Sequence, residues 1–181
     1  EVTPQMRSHA KAVNFGIVYG ISAFSLAQDI GVRPKEAQAY IDAYLEKYHG
    51  VREYMEKVIS QAKHDGYVST LFGRRRPMPE LKSPNRNMRA FGERVARNMP
   101  IQGTAADIMK LAMVNAHRRM QAEGLQSRLI LQVHDELIAE CPEDEAERVK
   151  KLLEEEMSGA VSLSVPLTAN AKTGHSWAEA H

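Results

Sequence analysis

Apolar positions recur at helical spacing through most of the chain and give way to alternation only in short runs. In the stretch RSHAKAVNFGIVYGISAF, Arg7 to Phe24, a turn of about 100° per residue gathers apolar positions on one side. Met6, Ala10, Val13, Ile17, Gly20 and Phe24 fall there, and that side is expected to be buried. Arg7, Lys11, Phe15 and Tyr19 recur every fourth residue. Each is rotated by only about 40° from the last, so they wind slowly along the opposite side. Thr3 before Pro4 predicts the start, with Thr as N-cap and Pro at the first helical position. Gly16 and Gly20 would each cost about 1 kcal/mol relative to Ala inside a helix, so a close approach or a bend is expected there.

The pattern continues with a short helix from Ser22 to Ile30, stopped by Gly31. A longer one runs from Pro34 to Tyr48, with Ala37, Tyr40, Ile41, Tyr44 and Tyr48 at helical spacing, and ends near Gly50. Another spans Val51 to His64 and is capped by Gly66. Tyr67 to Phe72 alternates as a strand does, and Gly73 turns the chain into a loop carrying Arg74, Arg75 and Arg76. A helix opens at Ser83-Pro84 and is expected to halt before Pro100. The next starts at Thr104, where Thr104 and Asp107 have capping-box spacing, and runs to Gln121 before Gly124. Ser127 to Val133 and Leu137 to Glu140 read as strands joined by a tight turn. Pro142 to Met157 reads as an acidic amphipathic helix and Val165 to Ala171 as a last strand. Helices followed by a few strands, without repeats or low-complexity linkers, indicate an α+β fold.

Composition narrows this picture in three ways. The chain has 181 residues, 43% hydrophobic and 26% charged, enough for one core or two small lobes. Its one cysteine, Cys141, excludes an internal disulfide framework and fits a reducing, cytoplasmic setting. No apolar run approaches the roughly 18 residues of a membrane span, and no signal-peptide shape opens the chain, so no membrane partner is expected. The chain begins with Glu1 instead of Met, as a processed chain or a piece of a longer one would. Residues 1–139 carry 20 Lys and Arg against 14 Asp and Glu, net +6, while residues 140–181 carry 4 against 9, net −5. A basic body with an acidic tail suits a nucleic-acid binder, although an ordinary uneven surface gives the same count.

Four stretches carry candidate chemistry. Two cations followed by two aromatics along the Arg7–Tyr19 stripe could hold a phosphate chain at one end and stack a base at the other; an ordinary amphipathic helix shows the same spacing. In LILQVHDELIAE, residues 129–140, apolar strands flank His134, Asp135 and Glu136, so the turn sets acidic groups at the rim of a sheet expected to be buried. A hairpin tip holds a ligand rigidly, and hard carboxylate oxygens suit Mg²⁺. Zinc is disfavoured because His134 has no partner His or Cys at ligand spacing. In ERVARNMPIQGT, Arg94 and Asn98 share a helix face and Gln102 follows Pro100; these side chains suit base-edge and sugar contacts in a groove. Arg74, Arg75 and Arg76 form a cationic patch suited to phosphate, or to simple solvation. Arg118 and Arg119 read as helix surface.

In this order and at these separations, R-x-x-x-K-x-x-x-F-x-x-x-Y-G, RNMPIQGTAADI and LQVHDEL resemble successive motifs of the family A DNA polymerases, the bacterial DNA polymerase I type. The resemblance covers essentially the whole chain, from Val2-Thr3-Pro4 to Lys172-Thr173-Gly174 and Trp177. It implies helical fingers over residues 1–73 and the C-terminal part of an antiparallel palm sheet with packed helices over 74–181. It implies nucleotide binding by Arg7, Lys11, Phe15 and Tyr19: the cations on the triphosphate, Phe15 on sugar and base, Tyr19 at the template base. Lys11 would also donate a proton to the leaving pyrophosphate. Arg94, Asn98 and Gln102 would track the minor groove of primer–template DNA, with His134 near the primer terminus. Asp135 would be the metal-binding catalytic carboxylate, supported by Glu136. Phe at position 15 implies discrimination against dideoxynucleotides.

The resemblance also implies a two-Mg²⁺ mechanism, which needs paired carboxylates gripping ions about 3.5–4 Å apart. The family's other Asp lies on a strand upstream of the nucleotide-binding helix, in a stretch like DYSQIELR that this sequence lacks. Asp107 is not a substitute, because it sits in the first turn of a helix, where capping explains it. The expected function is thus a C-terminal catalytic portion of a DNA-directed DNA polymerase for replication or repair, inactive without its upstream segments. Its partners would be primer–template DNA, deoxynucleoside triphosphates and those segments. The alternatives are a non-catalytic DNA-binding module and one chain of a split polymerase. A fragment of this kind is expected to leave a sheet edge wanting its missing strand.

Overall fold

The computed structural model describes residues 2–180. The chain forms two compact units, one ending at Gly103 and the other beginning at Thr104. Each has its own core.

In the first unit, α1 (Pro4–Val18) starts as its sequence dictates: the Thr3 hydroxyl accepts from the Met6 backbone N–H at 3.1 Å. The helix stops well before Phe24. Tyr19 is its C-cap and Gly20 takes a left-handed φ of 73°, while the Ile21 N–H donates to the Gly16 carbonyl at 2.7 Å. A Cβ on Gly16 would lie 2.9 Å from Ile21 Cγ2, so both glycines serve the bend. The apolar side is only partly covered: Ile17 is buried, whereas Met6, Ala10 and Phe24 are exposed.

Ser22 caps α2 (Ala23–Ile30), and Gly31 closes it at φ 71°. Next come α3 (Pro34–Lys47) and α4 (His49–Asp65), so Gly50 lies in the first turn of α4 and does not terminate α3. Leu26, Ala27, Ile30 and Ala37 form one core cluster. The strand expected to reach Phe72 is shorter. β1 (Tyr67–Ser69) pairs antiparallel with β2 (Arg75–Pro77), which places Arg75 and Arg76 on a strand and Leu71 and Phe72 in the turn. Val68 and Met78 from this hairpin join Ala62, Leu81 and Ala96 in a second cluster.

The break expected at Pro100 does not occur. A single helix, α5 (Arg86–Ala122), runs through it, and the boundary between the units falls inside this helix. Pro100 has no N–H for the Ala96 carbonyl, a loss of about 3 kcal/mol. Burial outweighs it: Ala96 is sealed on one side of the proline, and Met109, Ala112, Ala116 and Met120 on the other. A buried Met alone contributes about 1.5–3 kcal/mol. Thr104 and Asp107 are therefore interior helical residues and not a cap. Asp107 is buried and engaged by a neighbouring group.

In the second unit, β3 (Arg128–Val133) and β4 (Glu136–Glu140) form an antiparallel hairpin with a bulge at Ile130. Its outer face is open, with Ile130 and Leu131 about half exposed, so the sheet is not the buried one expected. Leu152 and Leu153 of α6 (Ala146–Ser158) pack with Val149, Ala116 and Met120. Residues 165–171 form no strand. With no strand edge bonded to them, their backbone groups turn to α6 instead: Ala169 N–H donates to Ser158 Oγ at 3.0 Å and Ala171 N–H to a Glu154 carboxylate oxygen at 2.9 Å. A short helix, α7 (Trp177–Ala180), ends the described chain. No helix among the described residues is long and apolar enough to cross a membrane.

Candidate functional site

The stripe on α1 is a contiguous surface. Lys11 Nζ sits 5.9 Å from the centre of the Phe15 ring, a cation–π contact. The Phe15 and Tyr19 rings stack with centroids 6.1 Å apart and planes 11° from parallel. Four-residue spacing on a helix puts each side chain over the one before it, which is why the sequence alone sufficed to line them up. All four side chains are exposed, and neither Arg7 nor Lys11 has a carboxylate partner among the described residues. Two uncompensated cations beside two parallel rings can take an anionic chain and a flat heterocycle together.

The turn after Tyr19 is held from α5. A Cβ on Gly20 would fall 2.7 Å from Arg97 Nη1 and 3.5 Å from Arg94 Cγ, so both arginines lie against the glycine's bare backbone. Arg94 also places its guanidinium 6.0 Å from the Phe91 ring centre. The side-chain oxygen of Asn98 is buried without a hydrogen-bond partner among the described residues, as is Arg97 Nε. An orphaned carbonyl oxygen of this kind costs free energy and is suited to a donor arriving with a ligand. Gln102, one turn further, is exposed. Arg94 is thus brought to the end of the α1 stripe as well as onto the α5 face. The sequence carries no signal for Arg97, because nothing in its spacing distinguishes it from a solvated arginine; only the fold sets it on Gly20.

In the second unit the β3–β4 loop is two residues long, since Val133 pairs with Glu136. His134 takes φ 53°, the positive value such loops favour at their first position. The Gln132 side-chain amide donates to the His134 carbonyl at 3.0 Å, which fixes the tip. Asp135 projects there, exposed, with no hydrogen bond or ion pair to the described residues. A solvent-facing carboxylate on a rigid tip fits one ligand position of a Mg²⁺ ion. Glu136 is half-buried, paired across the ladder and engaged by another group. Among the described residues no three His, Cys, Asp or Glu side chains gather into a metal site.

Glu145 anchors the base of this hairpin. Its carboxylate accepts from the Gln126 and Ser127 backbone N–H groups, each at 3.0 Å, and from the Ser127 hydroxyl. The Ser127 hydroxyl and then the Gln126 N–H hold it below the usual carboxylate range. Arg119 is not the simple helix surface its sequence suggests: it bridges Glu123, Glu155 and Glu156.

The chain is similar to known proteins along essentially its whole length. The family model for DNA polymerase family A matches residues 1–179. The chain is 54% identical over 181 residues to DNA polymerase I of Pseudomonas aeruginosa and 51% identical over 179 residues to that of Caldicellulosiruptor bescii. These alignments take in 100% and 99% of the chain but only 20% and 21% of the relatives, so it spans about one fifth of their length. Among solved structures, the POL domain of Pol1 from M. smegmatis, in complex with DNA primer-template and dNTP, superposes with a TM-score of 0.95 at 46% identity. That match covers 99% of this chain and 32% of the other. The chain belongs to DNA polymerase family A.

Proposed function

We propose that the chain is the C-terminal catalytic portion of a DNA-directed DNA polymerase acting in replication or repair, with residues 1–73 in its fingers and 74–181 in its palm. The observation that carries this reading is the α1 stripe: two cations without carboxylate partners among the described residues, in line with the stacked Phe15 and Tyr19 rings. In this reading Arg7 and Lys11 hold the phosphates of the incoming deoxynucleoside triphosphate. Phe15 packs on its sugar and base, and Tyr19 lies at the template base. Lys11 would also donate a proton to the departing pyrophosphate. Arg94, Asn98 and Gln102 contact the minor groove of the primer–template duplex, whose acceptors A·T and T·A share, so pair shape is tested without reading sequence. His134 lies near the primer terminus. Phosphoryl transfer asks the protein mainly for positioning and charge neutralisation, which these groups supply.

Asp135 would hold Mg²⁺ with Glu136 in support, and the bound ions would activate the primer hydroxyl and neutralise the phosphates. A two-ion site needs a second carboxylate. Asp107 is buried in mid-helix and does not offer one to solvent. The second carboxylate is assigned to upstream segments of the longer polymerase, which are thereby partners of this chain.

The test is primer extension on a primed template with Mg²⁺ and the four deoxynucleotides. The expected result is no extension by the chain alone, extension on adding the upstream polypeptide, and none with Asp135→Ala. Extension by the chain alone that Asp135→Ala abolishes would place a second metal ligand within these residues and overturn the site as described.

A further inference from the structure

The β1–β2 hairpin is not used by the site described above, yet it carries the densest positive charge in the chain. Residues 66–79 hold three arginines and no Asp or Glu. Register puts Tyr67, Ser69, Arg75 and Pro77 on one face and Val68 and Arg76 on the other. Val68 is buried and Arg76 reaches Glu80 at 3.7 Å, so that face is already occupied. On the outer face the Arg75 guanidinium lies 4.5 Å from the centre of the Tyr67 ring. Arg75 meets no carboxylate among the described residues, and the stacking holds its planar fork in place while leaving its charge uncompensated.

At the tip, Leu71 and Phe72 are 67% and 44% exposed, more than large apolar side chains need be on a short turn. The turn itself is fixed. Thr70 N–H donates to the Arg74 carbonyl at 2.9 Å, Gly73 N–H to the Thr70 carbonyl at 3.0 Å, and Arg74 N–H to the Thr70 hydroxyl at 3.2 Å. Gly73 supplies the left-handed φ of 80°. An exposed aromatic ring on a fixed turn, three residues before a pre-oriented arginine, offers what single-stranded nucleic acid asks for: a π-face for a base and a fork for its phosphate. A base within a duplex is already stacked and paired, so the ring selects an unpaired base.

We propose that this hairpin is a second nucleic-acid contact, in which Phe72 stacks on an unpaired base of single-stranded DNA and Arg75 holds the adjoining phosphate. The proposal rests on the polymerase reading, where the strand available to it is the template beyond the duplex.

The test is fluorescence anisotropy of the chain with a labelled blunt duplex and with the same duplex bearing a 5′ template overhang. The unchanged chain should bind the overhang substrate more tightly. Phe72→Ala should weaken that binding by about tenfold, the size of one lost base stack, and leave blunt-duplex binding within about twofold. Phe72→Trp should retain it, which separates stacking from a folding defect. Arg75→Ala should lower the salt dependence of overhang binding by about 0.7 in the log–log slope, one single-strand phosphate. Equal binding of overhang and blunt substrates by the unchanged chain, or an unaffected Phe72→Ala, would overturn this proposal and leave the polymerase reading standing. Failure of the unchanged chain to bind either DNA would overturn both.

Discussion

Gly20 joins the α1 stripe to the α5 face, and replacing it by Ala separates two costs that a left-handed glycine can carry. The first is backbone strain. An L-residue with a side chain in the left-handed region loses about 1–2 kcal/mol, offset in part by the roughly 0.4–1 kcal/mol by which Ala restricts the unfolded chain. Gly31 has almost the same conformation, φ 71° against 73°, but no atom lies within 4 Å of where its Cβ would be. Gly31→Ala therefore measures strain alone, a net destabilisation of about 1 kcal/mol. The second cost is overlap. At Gly20 the new Cβ would sit 2.7 Å from Arg97 Nη1, so the guanidinium must retreat. Overpacking costs about 1–3 kcal/mol. Arg97 is a flexible side chain that borders a cavity of about 250 Å³ lined also by Val18, Tyr54 and Ile101, so it has room to move and the low end applies. Gly20→Ala should therefore destabilise the chain by about 2 kcal/mol, roughly twice the effect of Gly31→Ala. Urea denaturation followed by circular dichroism reads both. In the double variant Gly20→Ala/Arg97→Ala the excess of about 1 kcal/mol should disappear, a coupling well above the usual additivity error. Equal destabilisation by Gly20→Ala and Gly31→Ala would refute the claim that Arg97 confines this turn.

Three further outcomes are expected. In the reconstituted polymerase, Phe15→Tyr should narrow the preference for deoxy- over dideoxynucleotides by at least about tenfold, one hydrogen bond's worth of about 1.4 kcal/mol; a competition assay in which the substitution leaves that preference unchanged would refute it. Glu145 has a depressed pKa because the Ser127 hydroxyl and the Gln126 and Ser127 N–H groups stabilise its charged form. Its contribution to stability is thus present above the ordinary carboxylate range and is lost as the pH falls through and below it, so Glu145→Gln should flatten the acid limb of the melting temperature against pH. Lys11→Ala should weaken deoxynucleotide binding in that polymerase by at least about tenfold, since a hydrogen bond to a charged group contributes about 1.5–3 kcal/mol; an unchanged KM and kcat would remove Lys11 from the site.

Local rules carried much of the structure. The Thr3 cap, the Ser22 and Gly31 ends of α2 and the tight turn after Val133 depend on neighbours within a few positions, so each was legible in the chain, although Glu136, expected in that turn, begins β4. The Lys11–Phe15–Tyr19 surface was legible for the same reason. The errors lie where a distant partner decides. Pro100 reads locally as a stop, yet α5 continues because burial on both sides of it outweighs one lost hydrogen bond. Residues 165–171 alternate like a strand, yet a strand exists only where another strand bonds to it, and here Ser158 and Glu154 take that place.

By itself, then, the amino-acid order determined the elements whose stabilising contacts are local and the family to which their motifs point. The tertiary structure alone decided what orients or neutralises each arginine. Arg94 and Arg97 rest on a bare glycine far away in the chain, Arg75 is stacked on Tyr67 across a ladder, and Arg119 is consumed by three glutamates. An arginine's role is set by what neutralises or orients its charge. Those groups come from other elements, and periodicity along one element carries no record of them.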